Sequence, residues 1–398
     1  MKRFQSCMHP TLREKKVRIK HVEAIALNLD LERSFSGGTY VVRSRPTILT
    51  TVVLEDGTVG TIYGGDETDT QSRIVETVNS VYAKKLVGED IRDFQRLWQI
   101  MVDTFVDLGN RGLHQLDMHP RAILMQAISA IDNAMWDARA RHYDVPLWKL
   151  LGGVRDRVPV ISIGGYYPPD GQDPCDAIAE EIDDVRAAGC IGIKMKVGRV
   201  AVEHDIERVR AARKAGGDDF VLTVDANQGW KLVDAIEFCT EAEKLDLGIR
   251  WLEEPLTWHD QTDGLKRLAS KTRIPINVGQ GEITGVACRD LMSKGDVNIL
   301  NLDCTLCGGV TEWQRVAAMA RFMNVEMAHH EEPQVAVHLM AANAHALYVE
   351  IFANKARDPL LWELPSNFPK ISNGYMEVPT GPGIGVELNQ DVIKKYQI

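Results

Sequence analysis

From Val158 to Phe352 the sequence repeats one unit: a short β-type run followed by a longer amphipathic run, seven times, closed by an eighth β-type run. The β-type runs are VPVISI, IGIKMKV, FVLTVDA, IRWLEEP, IPINVGQGE, VNILNLD, VEMAHH and LYVEIF. Strict alternation of this kind predicts a parallel α/β barrel of the (β/α)7β type, because each helix returns the chain to start the next parallel strand. A doubly wound open sheet shares the alternation, but it wants a glycine-rich phosphate turn after its first strand, and SIGGYYPPDG is not GxGxxG.

Residues 151–353 are therefore read as the barrel, and residues 1–150 as an N-terminal α+β capping domain completed by the C-terminal segment 354–398. Extended runs from Lys20 to Thr61 with an Asp56-Gly57 hairpin signal predict a small antiparallel sheet. Between them Arg33 to Tyr40 reads as a polar, glycine-rich loop, either a mobile lid or an exposed connection. Helical spacing runs from about Thr68 to Leu150, including RAILMQAISAIDNAMWDARARHYDVPLWKLLGG. The tail beyond Asn354, with PTGPGIGVELN, is expected to pack on the first domain.

Lys and Arg total 46 against 56 Asp and Glu, a net charge of −10. That excludes the basic footprint of a nucleic-acid binder or of a protein held on an anionic membrane, and leaves a small-molecule partner. No apolar run reaches the roughly 18 residues that span a bilayer, and the first twenty residues carry no signal-peptide core, so the expected location is cytoplasmic. Seven scattered cysteines fit reduced thiols. The close pair Cys304 and Cys307 has no second CxxC or HxxxH to complete a zinc tetrahedron and reads as two structural thiols.

In a barrel the C-terminal strand ends open into the active site, and here those ends carry ionisable residues in series. They are Lys194 and Lys196, then Asp225 with Asn227, Glu253, Gln280 with Glu282, Asp303, His330 and Glu350. Period-two alternation puts both lysines on the inward side. Asp225, Glu253 and Glu282 would converge and repel unless a cation lay between them, and oxygen-only ligands favour Mg²⁺, with Mn²⁺ as a substitute. The competing reading is a set of structural salt bridges to the two lysines. A Lys beside a second Lys and a divalent ion has its pKa lowered and can serve as a base, while Asp303 can orient His330 and stabilise its imidazolium.

These motifs resemble the enolase superfamily, mandelate racemase-like subgroup: IKMKVG, VDANQGW, WLEEPL, Gly281-Glu282, LNLD followed by CGGVTEW, the His330 strand and PTGPGIGVEL. The resemblance implies a cap over a modified (β/α)7β barrel. It implies Asp225, Glu253 and Glu282 as Mg²⁺ ligands, Lys196 as a base with Lys194 its helper, and Asp303 with His330 as the opposite dyad. Glu350 would help bind the reacting carboxylate. One departure stands out: the subgroup reads P-x-x-x-G-E at the fifth strand, and counting from Pro275 puts Gln280 in the ligand slot. Two residues along a strand return to the same face, so either side chain could reach the metal; Glu282 is favoured because its charge better balances a divalent ion.

The implied chemistry begins with loss of the proton α to a carboxylate. Dehydration of a sugar acid, aldonate or aldarate, to a 2-keto-3-deoxy acid is the favoured outcome. Arg33, Ser34, Ser36, Thr39, Tyr40, Arg43 and Arg45 suit a polyhydroxylated anion, and Arg33, Tyr40 and Asn227 are the chosen substrate contacts. A racemase or epimerase of a 2-hydroxy acid is the alternative, and a catalytically silent sugar-acid binder a second. A homo-oligomer, dimer or octamer, is expected by resemblance.

Overall fold

The computed structural model describes residues 16–65, 69–109 and 119–398; Cys7 lies outside them. Strands β1 (Ile19–Ser36), β2 (Val41–Leu54) and β3 (Val59–Gly64) form an antiparallel sheet in that order. The Asp56-Gly57 turn joins β2 to β3: Gly57 takes φ 93°, and the Thr58 N–H donates to Asp56 Oδ1 at 2.9 Å. Against this sheet lies the helix His119–His142, burying Ile128, Ile131, Ala134 and Met135.

The segment from Arg33 to Tyr40, read as a loop, is strand over its first half. β1 runs to Ser36 and only residues 37–40 turn. The turn presses on the barrel: a Cβ on Gly38 would lie 2.6 Å from the Val197 carbonyl oxygen and 2.8 Å from that of Ala226, so only glycine allows the approach. Thr39 Oγ1 donates to the Asn227 carbonyl at 2.9 Å. The hairpin tip is a docked wall, and a mobile lid is not what its contacts describe.

Eight parallel strands follow: β4 (Arg157–Gly164), β5 (Gly192–Lys196), β6 (Val221–Asp225), β7 (Ile249–Glu253), β8 (Ile276–Val278), β9 (Ile299–Asn301), β10 (Glu326–Ala328) and β11 (Val349–Ile351). They pair in sequence from β4 to β10, β11 pairs with β4, and a parallel bridge from Met327 to Ala346 closes the ring. Seven helices, from Pro174–Ala187 to Pro333–Ala342, alternate with them as the sequence grammar requires. The tail touches both parts, since Tyr375–Glu377 pairs antiparallel with β4 and Gln397 bridges Leu27 of β1. Cap and barrel share one continuous core, tied by Asp132, which accepts from the Thr311 N–H and hydroxyl at 2.8 Å each. Among the described residues no helix is long and apolar enough to cross a membrane.

Ile161, Trp251, Ile299 and Ala328 form a small separate cluster from four of the strands. Two residues further along their strands, the alternation that points Trp251, Ile299 and Ala328 inward delivers Glu253, Asn301 and His330. An apolar plug thus supports a polar floor at the barrel's open end.

Candidate active site

Backbone strain marks the rim. Among the described residues, ten non-glycine residues have positive φ. Six are Asp or Asn, the types that tolerate it. The four that are neither, Gln228, Glu254, Glu331 and Glu332, all lie within four residues of the C-terminal ends of β6, β7 and β10. Strain held in this way is typical of functional sites.

The buried floor is an ion lattice. Lys194 Nζ lies 2.7 Å from both Glu253 and Glu350, and Lys196 Nζ lies 2.7 Å from Asp225 Oδ2. Asp225 also accepts from the Asn227 N–H at 2.8 Å and its amide at 2.9 Å. Glu253 collects the Trp251 indole and the amides of Asn277 and Asn301 at 2.9–3.1 Å. The expectation that Lys196 has a lowered pKa is not met in this lattice. Burial lowers it most, but the Asp225 carboxylate together with the Tyr40 and Tyr166 phenols holds the ammonium well above its ordinary value. The salt bridges of the competing reading are thus present, yet they leave Glu253 short of positive charge. Burial pushes Glu253 up to about 7, and Asp225 and Glu350 add to the rise against Lys194. Next to it Glu254 is raised to about 8, by burial first and then by Asp225, Glu253 and Glu282.

A further cation fits that deficit. Gln280 lines the main cavity together with Lys196 and Asn227, and its carboxamide Oε1 is buried without a hydrogen-bond partner. Glu282 does not line that cavity. Gly279 takes φ 111°, and the Glu254 carboxylate accepts the N–H groups of Gly279 and Gln280 at 2.7 and 3.3 Å, which pins a turn at the strand end. That turn ends the two-residue alternation that left Gln280 and Glu282 both open, and it puts Gln280 on the cavity wall.

On the opposite wall His330 Nδ1 meets Asp303 Oδ2 at 3.1 Å, and Asp303 Oδ1 is fixed by the Thr305 N–H and hydroxyl at 2.7 Å each. Burial would lower the His330 pKa; the Glu331 carboxylate, 3.6 Å from Nε2, and the Asp303 hydrogen bond raise it to about 9. Glu331 is itself pinned by Arg45 at 3.2 Å, and Arg45 Nε donates to Asp358 at 2.7 Å.

The cavity between these walls measures about 680 Å³ and is lined by Tyr40, Lys196, Asn227, Gln280, His330 and Arg357, among others. Lys196 Nζ stands 5.7 Å from the Tyr40 ring and 6.0 Å from that of Tyr166. Arg33 is not brought in. It lines a second cavity of about 320 Å³ beside Glu180 and Glu181, with its guanidinium 4.8 Å over Phe35, because the β1–β2 register slips between Asp30 and Phe35. Reading the sequence alone missed Glu331, Tyr166 and Arg357. Glu331 follows His330 directly and was the one within reach; Arg357 lies past the last strand, where no periodicity marks it. Cys304 and Cys307 are buried thiols pushed well up by burial. Although Asp303, Cys304 and His329 approach within 4.8 Å, His329 Nε2 already accepts from the Cys304 N–H.

A capped (β/α)7β barrel whose C-terminal rim carries lysines at the end of one strand and a His-Asp dyad at the ends of two others is the architecture of the enolase superfamily. The chain belongs to the mandelate racemase-like subgroup of that superfamily: residues 34–152 match the mandelate racemase/muconate lactonizing enzyme N-terminal domain, and residues 177–392 match the enolase C-terminal domain-like family. It is 28% identical over 394 residues to the D-galactarolactone cycloisomerase of Agrobacterium fabrum, covering 96% of this chain and 99% of that one. A mandelate racemase/muconate lactonizing enzyme from a marine actinobacterium, solved with magnesium, superposes with a TM-score of 0.86 at 35% identity, covering 96% and 99% of the two chains. The L-talarate/galactarate dehydratase of Salmonella typhimurium LT2, liganded with Mg and L-lyxarohydroxamate, gives a TM-score of 0.86 at 26% identity over 99% and 96%.

Proposed function

We propose that the protein is a Mg²⁺-dependent dehydratase of a sugar acid. The observation that carries this is the placement of Lys196 and of a His330 held as imidazolium in one cavity, each fixed by its own carboxylate. Asp225, Glu253 and the Gln280 amide oxygen would hold the metal, with Gln280 replacing Glu282 in the set. When bound, the cation takes up the carboxylate charge now shared by the lysines and offsets the charge that grows on the substrate carboxylate as the α-proton leaves. Lys194 and Glu350 orient that carboxylate. Lys196 Nζ acts as the free amine, its own proton lost to solvent once the Asp225 charge that holds it is shared with the metal, and removes the α-proton; the β-carbon–oxygen bond then breaks, and His330 gives its Nε2 proton to the leaving hydroxide, releasing water. The enol left behind tautomerises to the 2-keto-3-deoxy acid. Tyr40 and Asn227 wall the cavity and hold the substrate in place.

A panel of acid sugars tests this. With Mg²⁺ the unmodified protein is expected to yield a keto acid lighter than the substrate by one water. EDTA should abolish turnover and added Mg²⁺ restore it, and full activity in a chelated sample would end this reading. The cycloisomerase relative supports a second reading, in which a ring opens with no change of mass, so product mass separates the two. For the ligand set, calorimetric Mg²⁺ titration is expected to show Gln280→Ala weakening binding, Glu282→Gln leaving it within about twofold, and Gln280→Glu tightening it by added charge. The reverse ranking would return the third position to Glu282.

A further inference from the structure

The cavity contains two buried arginines in different states. Arg45 is answered by two acids, Asp358 at 2.7 Å and Glu331 at 3.2 Å. Arg357 is 2% exposed and, among the described residues, has no carboxylate within ion-pair distance. Its Nε donates to the Tyr166 hydroxyl at 2.9 Å, and its Nη1 is buried with no hydrogen-bond partner. The guanidinium is held rigidly, 4.4 Å over the Phe352 ring and 5.4 Å from the Tyr166 ring. A guanidinium cannot shed its charge; the Glu331 carboxylate, already paired with Arg45, acts on it only from beyond ion-pair distance, so a buried Nη1 with no partner leaves room for a directly bound anion.

Lys196 shares the Tyr166 ring with Arg357, at 6.0 Å from the other group's 5.4 Å, and both residues line the same cavity. The base and the guanidinium therefore both lie within 6.0 Å of the centroid of one aromatic ring. We infer that Arg357 is the anchor for a second, distal carboxylate of the substrate, so that the site takes a sugar diacid (aldarate) in preference to an aldonate ending in a hydroxymethyl group. This rests on the sugar-acid reading above, in which the reacting carboxylate occupies the Lys194 and metal side and leaves the Arg357 side to the other end of the chain. A planar fork suits a carboxylate, which accepts two parallel N–H bonds, better than a single hydroxyl.

The test compares a stereochemical panel of six-carbon aldarates with the matching aldonates, which differ only at C6, by calorimetry in Mg²⁺ and by keto-acid release. At least one aldarate is expected to bind roughly tenfold or more tightly than its aldonate twin, as for a hydrogen bond to a charged group. Arg357→Met should erase that difference, weakening the aldarate and leaving the aldonate within about twofold, while Arg357→Lys should retain part of it. Aldonates binding as tightly as aldarates to the unmodified protein, or a loss in Arg357→Met that is equal for both classes, would overturn the inference. The class comparison on the unmodified protein decides even if the Met variant fails to fold. Failure of the sugar-acid reading itself shows differently, as absence of binding and of keto acid across both panels, and would take the second anchor with it.

Discussion

Replacing Lys196 by Ala is expected to stop exchange of the substrate α-proton with D₂O and to lower kcat/KM by roughly 10²–10⁴-fold, the contribution of a positioned general base. The variant also strips Asp225 of its buried partner, and an unpaired buried charge costs about 3–5 kcal/mol of stability. Loss of activity alone would therefore not identify the base. Two further measurements do. A thermal melt in Mg²⁺ should recover much of the stability, because the metal replaces the missing ammonium beside Asp225. Lys196→Arg, which keeps the charge and the fold, should remain as deficient in exchange as the Ala variant, since a guanidinium does not give up a proton near neutral pH. Exchange at the unmodified rate in either variant would remove Lys196 from the role of base for that substrate. A substrate of opposite configuration at C2 presents its α-proton to the other wall, so the measurement belongs on the enantiomer that turns over.

The barrel was legible because its evidence is periodic: eight β-type runs and seven amphipathic runs recur with fixed order, and β4 to β11 fall on them. Part of the polar floor was legible as well, since Glu253 and His330 stand out as ionisable residues at strand ends, whereas Asn301, which shares the floor with them, carries no charge to mark it. Reading failed where the backbone leaves its period. A left-handed Gly279 just past the end of β8 ends the alternation that had put Gln280 and Glu282 on one face. The register slip in β1 turned Arg33 toward another cavity. Charge pairing was equally hidden, because only the folded neighbours show that Asp225 lies 2.7 Å from Lys196 Nζ while Arg357 bonds the Tyr166 hydroxyl. Residue types at strand ends announce a site; which proton sits where depends on contacts between segments far apart in sequence.

Replacing His330 by Asn is expected to abolish loss of the β-hydroxyl while leaving α-proton exchange measurable, because Lys196 acts on the other wall. The acid role depends on charge state, and that state has a visible cause. His330 faces Asp303 from the end of β9, Lys194 from β5, His329 beside it and Glu331 in its own loop, and the two carboxylates raise it to about 9. A group with a raised pKa stays protonated below that value and loses its proton as pH rises through it, so dehydration should hold across neutrality and fall on an alkaline limb near pH 9. Two consecutive left-handed residues, Glu331 and Glu332, each at φ 50°, place the Glu331 carboxylate beside Nε2, with the Glu331 N–H donating to Glu350 at 3.1 Å. Glu331→Gln keeps the shape and an acceptor for Arg45 but removes the charge. If Glu331 sustains the imidazolium, the alkaline limb of keto-acid formation shifts to lower pH in that variant, with little change on the acid side. A limb that stays in place would reduce Glu331 to a structural clamp. If His330→Asn loses exchange and Lys196→Ala keeps it, the base and acid change places for the substrate in hand.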